Sequence, residues 1–247
     1  MTSEALTGKT ALVTGAGKRL GRAIALALAD EGVNVVAHYN TSAEEATALC
    51  REVEARGVRC WPVKADFSAG EYDSLIARAL ELTGRLDLLV NNASVFHPNT
   101  LPDVTFPEVV RDIEINAWAP LVLARAFAQA TAQGKIVNLL DTRIVGDDAE
   151  HVSYILGKHA LAALTRMMAV EFAPGVAVNA VAPGLILPPA GQDETYLAAL
   201  ADTVPLQRHG GPDDIAQAAL FLLKSTFITG QVIFVDGGRH LREYPHG

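Results

Sequence analysis

The sequence TALVTGAGKRLG, residues 10–21, predicts how the chain begins to fold. It opens with a short apolar run that stops at glycine, and apolar positions then recur through an alanine-rich helix from Arg19 to Asp30. Three glycines lie between strand and helix: Gly15, Gly17 and Gly21. They suit a tight turn, the close approach of a phosphate and the contact of helix with strand. Their spacing departs from the common G-x-G-x-x-G pattern, so a simple turn is the alternative, but the place directly after the first strand favours dinucleotide binding.

The composition indicates one large soluble domain. Half of the 247 residues are apolar, which is ample for a substantial core. A net charge of -8 argues against nucleic-acid binding, which normally shows as a basic patch. Cys50 and Cys60 are too few for a disulfide framework or a cysteine metal site, so we expect reduced thiols and no metal. The sequence shows no signal peptide and no apolar run long enough for a membrane span, which predicts a cytoplasmic protein.

Strand and helix patterns alternate along the rest of the chain. Further strands are predicted at residues 33–40, 58–64, 85–94, 135–140, 176–184 and 231–238. Further helices are predicted at residues 43–56, 71–83, 107–133, 152–170 and 213–223. The alternation predicts an α/β fold in which residues 1–247 form a single doubly wound Rossmann domain, a seven-stranded parallel sheet with helices on both faces. The Pro-rich segment 185–209 has the composition of a substrate lid.

The end of the second strand indicates which dinucleotide binds. It ends near His38 without the Asp or Glu that binds a free adenosine ribose hydroxyl, which favours NADP over NAD. A 2′-phosphate instead needs donors or cations. Such residues lie in the glycine loop and just after the strand: Lys18, Arg19, Asn40, Thr41 and Ser42. Solvated surface charge is the alternative role for the two cations. Asp66, after the third strand, is placed to accept from the adenine amino group or only to solvate its loop.

The segment DTRIVGDDAEHVSYILGK, residues 141–158, holds the candidate reacting groups. In the helix predicted over residues 152–170, Tyr154 and Lys158 stand one turn apart on the same face. An ammonium beside a phenol lowers the pKa of the phenol, which makes it a better proton shuttle. The spacing alone is weak evidence, because tyrosine and lysine often fall four positions apart by chance. Asp141 ends a buried strand, at the edge where open α/β sheets bind ligands.

Other polar and aromatic residues are expected at the same edge. The sequence NNAS, residues 91–94, follows the preceding buried strand. Phe96 comes next and is placed either to stack on a flat ligand or simply to pack. Asn116 lies inside a long apolar helix, where an asparagine costs helix propensity unless its amide serves a partner.

The motifs TGAGKRLG, Asp66, NNAS, Asn116, IVNLL, YILGK and APG stand in the order and at the spacing typical of short-chain dehydrogenases/reductases, and the chain resembles that family over almost its whole length. The resemblance implies that Tyr154 donates a proton and that Lys158 holds the nicotinamide ribose while lowering the tyrosine pKa. It implies that Asn116 supports a water chain to the lysine. It also implies NADPH contacts from a larger set: Gly15, Lys18, Arg19, Leu20, Gly21, His38, Tyr39, Asn40, Thr41, Ser42, Asp66, Phe67, Asn92, Ala93, Tyr154, Lys158, Pro183 and Gly184.

Two residues depart from the commonest pattern of that family. Arg19 replaces a glycine, and Asp141 replaces the serine that stands thirteen residues before the tyrosine and holds a substrate carbonyl. A carboxylate repels a carbonyl oxygen unless it is protonated, whereas it accepts from the N–H groups of a nitrogen heterocycle. In these two departures the chain resembles pteridine reductases and dihydromonapterin reductases. That resemblance implies substrate contacts from Arg19, Ser94, Phe96, Asp141 and Tyr154.

The resemblance implies an NADPH-dependent reductase of pterins such as dihydrobiopterin, dihydromonapterin or dihydrofolate. Hydride goes to a C=N carbon, and Tyr154, resupplied through Lys158 and Asp141, protonates the nitrogen. A carbonyl reductase acting on a 3-oxoacyl thioester, a sugar or a small ketone is the alternative within the family. A non-catalytic NADP(H)-sensing protein is the alternative of a different class. We also expect a homotetramer, with the tail 237–247 near a neighbour's site, and neither nucleic acid nor membrane as a partner.

Overall fold

The computed structural model describes residues 4–146, 148–189 and 191–242, and strands from these ranges form one seven-stranded sheet. The strands are β1 (Thr10–Val13), β2 (Asn34–Tyr39), β3 (Cys60–Lys64), β4 (Leu88–Asn91), β5 (Gly134–Leu139), β6 (Val176–Pro183) and β7 (Val232–Val235). They lie in the order β3-β2-β1-β4-β5-β6-β7, and every neighbouring pair is parallel. The predicted seven-stranded parallel α/β fold is confirmed.

Helices cover both faces of this sheet. They are α1 (Arg19–Asp30), α2 (Ala43–Glu54), α3 (Tyr72–Thr83), α4 (Phe106–Ile113), α5 (Ala119–Ala130), α6 (Val152–Glu171), α7 (Glu194–Ala199) and α8 (Pro212–Lys224). One buried cluster joins α1 and α8 to the sheet through residues such as Leu28 and Leu223. A second joins α3, α5 and α6 through residues such as Leu75 and Phe127. The strands therefore bury apolar side chains on both sides, as parallel sheets between helices do.

Side-chain alternation within single strands supplies the two clusters. Val35 and Ala37 of β2 pack in the cluster with α1, whereas Val36 between them packs in the cluster with α3 and α5. Successive residues of a strand point to opposite faces, so a continuous apolar run serves both layers at once.

The strand order reverses between β1 and β4, and this reversal locates the site. The chain leaves β1 toward β2 and β3 on one side, then returns to add β4 to β7 on the other. The helices that follow β1 and β4 leave to opposite sides at such a point, which opens a crevice at the carboxyl ends of the strands. The residues directly after β1, β4 and β5 therefore meet at one edge.

The predicted single helix over residues 107–133 is wrong in its middle. The chain forms α4, then a π turn over Glu114–Trp118, then α5. Pro120 has no backbone N–H, so the regular helical hydrogen bond to residue 116 cannot form there. The apolar pattern continues through the turn, which is why the pattern alone predicted one helix.

Two further expectations differ from the structure. Cys50 of α2 and Cys60 of β3 form a disulfide, so the prediction of reduced thiols is wrong for this structure. The chain turns back between α2 and β3, which brings the two Cα atoms to 5.1 Å. The predicted lid is also more regular than its composition suggested, because it contains α7 and a short 3-10 turn over Ala201–Thr203. Within the described ranges, no helix combines the length and apolar character needed to cross a membrane.

Candidate active site

The loop after β1 is fixed by side chains from the neighbouring strand ends. Thr14 Oγ1 accepts from the backbone N–H groups of Asn92 and Ala93, each at 2.9 Å. The Asn92 amide donates to Thr14 O at 2.8 Å and to Gly15 O at 3.2 Å. A Cβ at Gly21 would lie 2.3 Å from Gly15 O, so only glycine fits there. The predicted cofactor residues Gly15, Gly21, Asn92 and Ala93 therefore form one unit, in which the unpredicted Thr14 is the central acceptor.

Arg19 begins α1 with a backbone φ of +52°, in the left-handed region that glycine adopts without strain. Arg19 therefore holds this conformation at some cost in backbone strain. Its guanidinium donates to Pro188 O at 2.9 Å, which joins the glycine loop to the predicted lid.

The side chain of His38, at the end of β2, supports the glycine loop. Its Nδ1 accepts from the N–H of Gly15 at 3.1 Å, so Nε2 carries the proton and donates to Ala65 O at 3.0 Å. The ring stacks on Phe67 with centroids 4.5 Å apart. Burial lowers the pKa of His38 to about 4, which keeps the ring neutral. Both ring nitrogens are used within the protein, so the His38 ring supports the glycine loop, and the cofactor contact that the resemblance implied for His38 stays a prediction.

The residues predicted for the adenosine phosphate lie around the ends of β2 and β3. Lys18 pairs with Glu45 at 2.7 Å, with both side chains about half exposed. Asp66 Oδ1 accepts from the Ser68 N–H at 2.9 Å and from the Asn40 amide at 3.2 Å. The remaining predicted contacts lie nearby or along the same edge and are all exposed or partly buried: Leu20, Tyr39, Thr41, Ser42, Pro183 and Gly184.

Tyr154 and Asp141 are joined directly. The Tyr154 hydroxyl donates to Asp141 Oδ2 at 2.8 Å, and the phenol is buried. Burial, followed by the charge of Asp141, raises the pKa of Tyr154 well above its ordinary value. The prediction that Lys158 lowers the tyrosine pKa is therefore wrong for this structure. The anion in hydrogen-bond contact and the loss of water both oppose the phenolate.

Lys158 is held away from the Tyr154 hydroxyl. Its ammonium donates to Leu139 O at 2.7 Å and lies 5.6 Å from the centre of the tyrosine ring. Burial lowers the pKa of Lys158 to about 8, although Asp141 partly opposes the shift. The lysine thus lies beside the end of β5, near the Tyr154 ring, as a cation that is easily neutralised.

Asn116 clamps the loop that follows β4. Its Oδ1 accepts from Ser94 Oγ at 2.6 Å and from the Val95 N–H at 3.3 Å, while its Nδ2 donates to Val95 O at 3.1 Å. These bonds fix the loop just before Phe96. Phe96 in turn meets Tyr154 edge to face, with ring centroids 4.7 Å apart. The predicted residues Ser94, Phe96 and Asn116 are thus brought to the tyrosine, and the water chain from Asn116 to Lys158 stays a prediction.

Three residues that the sequence did not single out complete the site: Arg143, Asp148 and His151. The Arg143 guanidinium donates to both oxygens of Asp141, Nε to Oδ1 at 3.1 Å and Nη2 to Oδ2 at 3.2 Å, and its Nη1 donates to Asp148. Its Cζ lies 5.0 Å from the centre of the Phe96 ring. His151 stacks on the same ring at 4.0 Å and pairs with Asp148 at 3.0 Å. The signal for Arg143 was its place two residues after Asp141, in the turn beyond a buried strand.

Arg143 corrects the expected role of Asp141. Burial alone would lower the pKa of Arg143, but the charge of Asp141 holds that pKa above its ordinary value, so the two residues form a stable ion pair. From the sequence we expected the carboxylate of Asp141 to be free, to repel carbonyl oxygens and to accept hydrogen bonds from the substrate. In the structure its charge is compensated by Arg143 and its oxygens are bound within the protein. Asp141 therefore gives no argument against a carbonyl substrate.

Comparison with known proteins identifies the class. A family model described as Enoyl-(Acyl carrier protein) reductase matches residues 15–240. A 3-oxoacyl-(acyl-carrier-protein) reductase from Staphylococcus aureus is 37% identical over 243 residues, covering 94% of this chain and 98% of its own. The chain belongs to the short-chain dehydrogenase/reductase family of oxidoreductases.

Two solved structures are similar throughout. FolM alternative dihydrofolate reductase 1 from Brucella canis, complexed with NADP, has a TM-score of 0.92 at 32% identity and covers 98% of both chains. The promiscuous reductase LugOII, which catalyses a keto-reduction in lugdunomycin biosynthesis, has a TM-score of 0.89 at 34% identity and covers 96% of this chain and 100% of its own. One neighbour is thus named for reduction of a dihydrofolate and the other for reduction of a ketone.

The buried neutral His38 predicts a pH-dependent stability. Its pKa of about 4 in the folded protein lies below the ordinary value of 6.5, so the unfolded chain binds the proton first as the pH falls. Stability is lost from about pH 6.5 downward, by about 2 kcal/mol between pH 7 and pH 5 from this group alone. Urea denaturation at several pH values should show a flatter dependence for His38→Gln. The exposed His159→Gln is the control and should keep the original slope. Equal slopes for all three proteins would contradict this role of His38.

Proposed function

We propose that this oxidoreductase is an NADPH-dependent reductase of pterins. The observation that supports it most is an exposed aromatic ring beside the buried phenol of Tyr154. Phe96 is 43% exposed and lies edge to face against Tyr154, whose hydroxyl donates to Asp141. The ring stacks on His151, and its exposed part lies beside Tyr154, where it can contact a planar heterocycle. The likeness to the Brucella dihydrofolate reductase supports the same substrate class.

The residues at the carboxyl edge fit NADPH. Gly15, at φ +64°, and Gly21 keep the loop after β1 free of side chains at its closest approaches, so backbone N–H groups can bind a pyrophosphate. Lys18 and Arg19 supply cations for a 2′-phosphate. The exposed pair of Lys18 with Glu45 is weak, so it leaves the ammonium available to an anion. When bound, NADPH supplies the hydride.

The residues of the chain supply the proton. Tyr154 is a neutral phenol, because both burial and Asp141 disfavour its anion, and a neutral phenol is the form that donates. Its proton goes to the nitrogen of the C=N bond while the carbon receives the hydride. The proton is then replaced from Lys158, whose pKa is near 8; because its Nζ is bound to Leu139 O and not to the Tyr154 hydroxyl, the transfer needs an intervening group such as a water molecule. The raised tyrosine pKa keeps the hydroxyl protonated, so the proton that reduction needs is present on Tyr154.

A carbonyl reductase is the second candidate. Arg143 cancels the charge of Asp141, so a ketone oxygen beside Tyr154 meets donors and is not repelled. The relatives named for 3-oxoacyl and keto-reduction support this substrate class. The sensing alternative has less support, because Tyr154 is buried in contact with Asp141 and lies one helical turn from Lys158, which is the arrangement needed for turnover.

Substrate turnover tests the proposal. NADPH oxidation should be measured with dihydrobiopterin, dihydromonapterin and dihydrofolate, and with a 3-oxoacyl thioester and a small ketone. We expect turnover of at least one pterin at a kcat/KM above those of the carbonyl compounds. Tyr154→Phe should lower kcat by about 10² to 10⁴, the usual contribution of a general acid. Tyr72→Phe is the matched control, since Tyr72 is also buried and donates to a carboxylate, Glu114, at 3.0 Å. No turnover of any pterin, or full activity of Tyr154→Phe, would refute the proposal.

We also propose the homotetramer that the family resemblance implies. Helices α4 and α6 pack together and carry large apolar side chains that this chain leaves exposed. These residues are Phe106, Val110, Leu156, Met167 and Val170. Val170 is 80% exposed, and a partner subunit packed on this face would bury its side chain. The part of the tail beyond Arg242, predicted to approach a neighbour's site, lies outside the described residues.

The apolar face of α4 and α6 predicts the outcome of sedimentation. The unaltered protein should sediment with four times the mass of the chain. Val170→Glu should give smaller species, because a charge cannot be buried unpaired in an apolar interface. Leu82→Glu, at a half-exposed position of α3, should remain a tetramer. A monomeric mass for the unaltered protein would remove this part of the proposal.

A further inference from the structure

The carboxylate of Asp141 has no acceptor position left. A carboxylate offers about four lone-pair directions. In Asp141, Oδ1 accepts from the backbone N–H of Arg143 at 2.9 Å and from its Nε at 3.1 Å. Oδ2 accepts from the Tyr154 hydroxyl at 2.8 Å and from Arg143 Nη2 at 3.2 Å. A substrate N–H therefore finds no free site on Asp141 while these bonds hold.

Arg143, in contrast, keeps free donors. A guanidinium has five N–H groups in a rigid plane, one on Nε and two on each terminal nitrogen. Among the described residues, Nε and Nη2 each bind Asp141 and Nη1 binds Asp148. One N–H on each terminal nitrogen is thus left for another acceptor. The side chain is 28% exposed, so a ligand can reach it.

The position of these donors is fixed relative to the proton donor. The Tyr154 hydroxyl and Arg143 Nη2 bind the same oxygen, Asp141 Oδ2, so the two groups are neighbours. The Arg143 guanidinium also lies over the exposed ring of Phe96. A substrate whose protonated atom lies at Tyr154 therefore has the neighbouring part of its edge near Arg143.

We propose that Arg143 is a substrate-binding, specificity-determining residue that donates to an acceptor oxygen adjacent to the atom that Tyr154 protonates. Asp141 then acts as a positioning residue, since it holds Tyr154 and Arg143 on one carboxylate. The substrate class is a nitrogen heterocycle in which a ring carbonyl stands beside the reducible C=N bond. A 4-oxo-7,8-dihydropteridine has this pattern, because its C4 carbonyl lies beside N5. An amino group at C4 presents N–H donors to Arg143 and is rejected.

This inference rests on the proposed pterin reduction, and one pair of compounds separates the two. The compounds are a 2-amino-4-oxo-7,8-dihydropteridine and its 2,4-diamino counterpart, which differ in the group at C4 and in the N3–H that accompanies the C4 carbonyl. Dissociation constants are measured on the protein saturated with NADP⁺, and kcat and KM are measured with NADPH. The proteins are the unaltered chain, Arg143→Met, Arg143→Lys and the control Arg125→Met, which alters an exposed arginine of α5.

We expect the unaltered protein to bind the 4-oxo compound more tightly than the diamino compound. Arg143→Met should weaken binding of the 4-oxo compound roughly tenfold to a hundredfold, as loss of a charged hydrogen bond does, and change that of the diamino compound less than about twofold. The effect should appear in the dissociation constant and KM more than in kcat, and Arg143→Lys should restore part of it. Arg125→Met should match the unaltered protein.

Equal losses for both compounds would overturn the inference, because they would show that Arg143 acts only by holding Asp141 and Tyr154. Unchanged binding of the 4-oxo compound would overturn it as well. If Arg143→Met does not fold because Asp141 is left unpaired, the double variant Arg143→Met with Asp141→Asn removes both charges and carries the binding comparison. Binding of the 4-oxo compound without turnover would refute the proposed function alone, and the dissociation constants would still decide the role of Arg143. Failure of the unaltered protein to bind either compound would refute both.

Discussion

A carboxylate removed from most of its water must be compensated, and the arrangement of this site follows from that requirement. Asp141 is compensated by Arg143, which neutralises its charge with two hydrogen bonds, and by the Tyr154 hydroxyl. The same bonds that satisfy the carboxylate keep the phenol protonated and fix the guanidinium beside it. The Asp141 and Arg143 pair is therefore neutral overall, and Arg143 Nη2 lies beside the Tyr154 hydroxyl on the same carboxylate oxygen.

The fold brings these groups together from distant parts of the chain. Strand β5 ends next to Asp141, and the first turn of α6 carries Tyr154. Lys158 ties α6 to the end of β5 through Leu139 O. The π turn between α4 and α5 supplies Asn116, whose amide clamps the loop before Phe96. Lys158 and Asn116 are thus held by backbone contacts, and the Tyr154 hydroxyl is held by the side chain of Asp141.

The parts predicted from the sequence are those that local patterns determine. Strand periodicity and the glycines after β1 are local, and they were sufficient for the sheet and the nucleotide edge. The pairing of Arg143 with Asp141 and the bond from Lys158 to Leu139 O depend on rotamers chosen by several elements at once. For that reason the predicted direction of the Tyr154 pKa shift was wrong, since spacing along a helix does not show which charge lies closest to the phenol. The π turn escaped prediction because it leaves the apolar pattern intact.

The chemistry of this site depends on a neutral Tyr154 phenol held by Asp141, and the ionisation of Tyr154 can be followed directly. The cofactor-free protein would be labelled with ¹³C at tyrosine Cζ, with the Tyr154 resonance assigned from Tyr154→Phe. In the unaltered protein this resonance should show no phenolate at pH about 10, the ordinary pKa of tyrosine. In the Asp141→Ser variant, the Tyr154 phenol should ionise at a lower pH than in the unaltered protein. Ionisation of Tyr154 near neutral pH in the unaltered protein would contradict a neutral phenol held by Asp141.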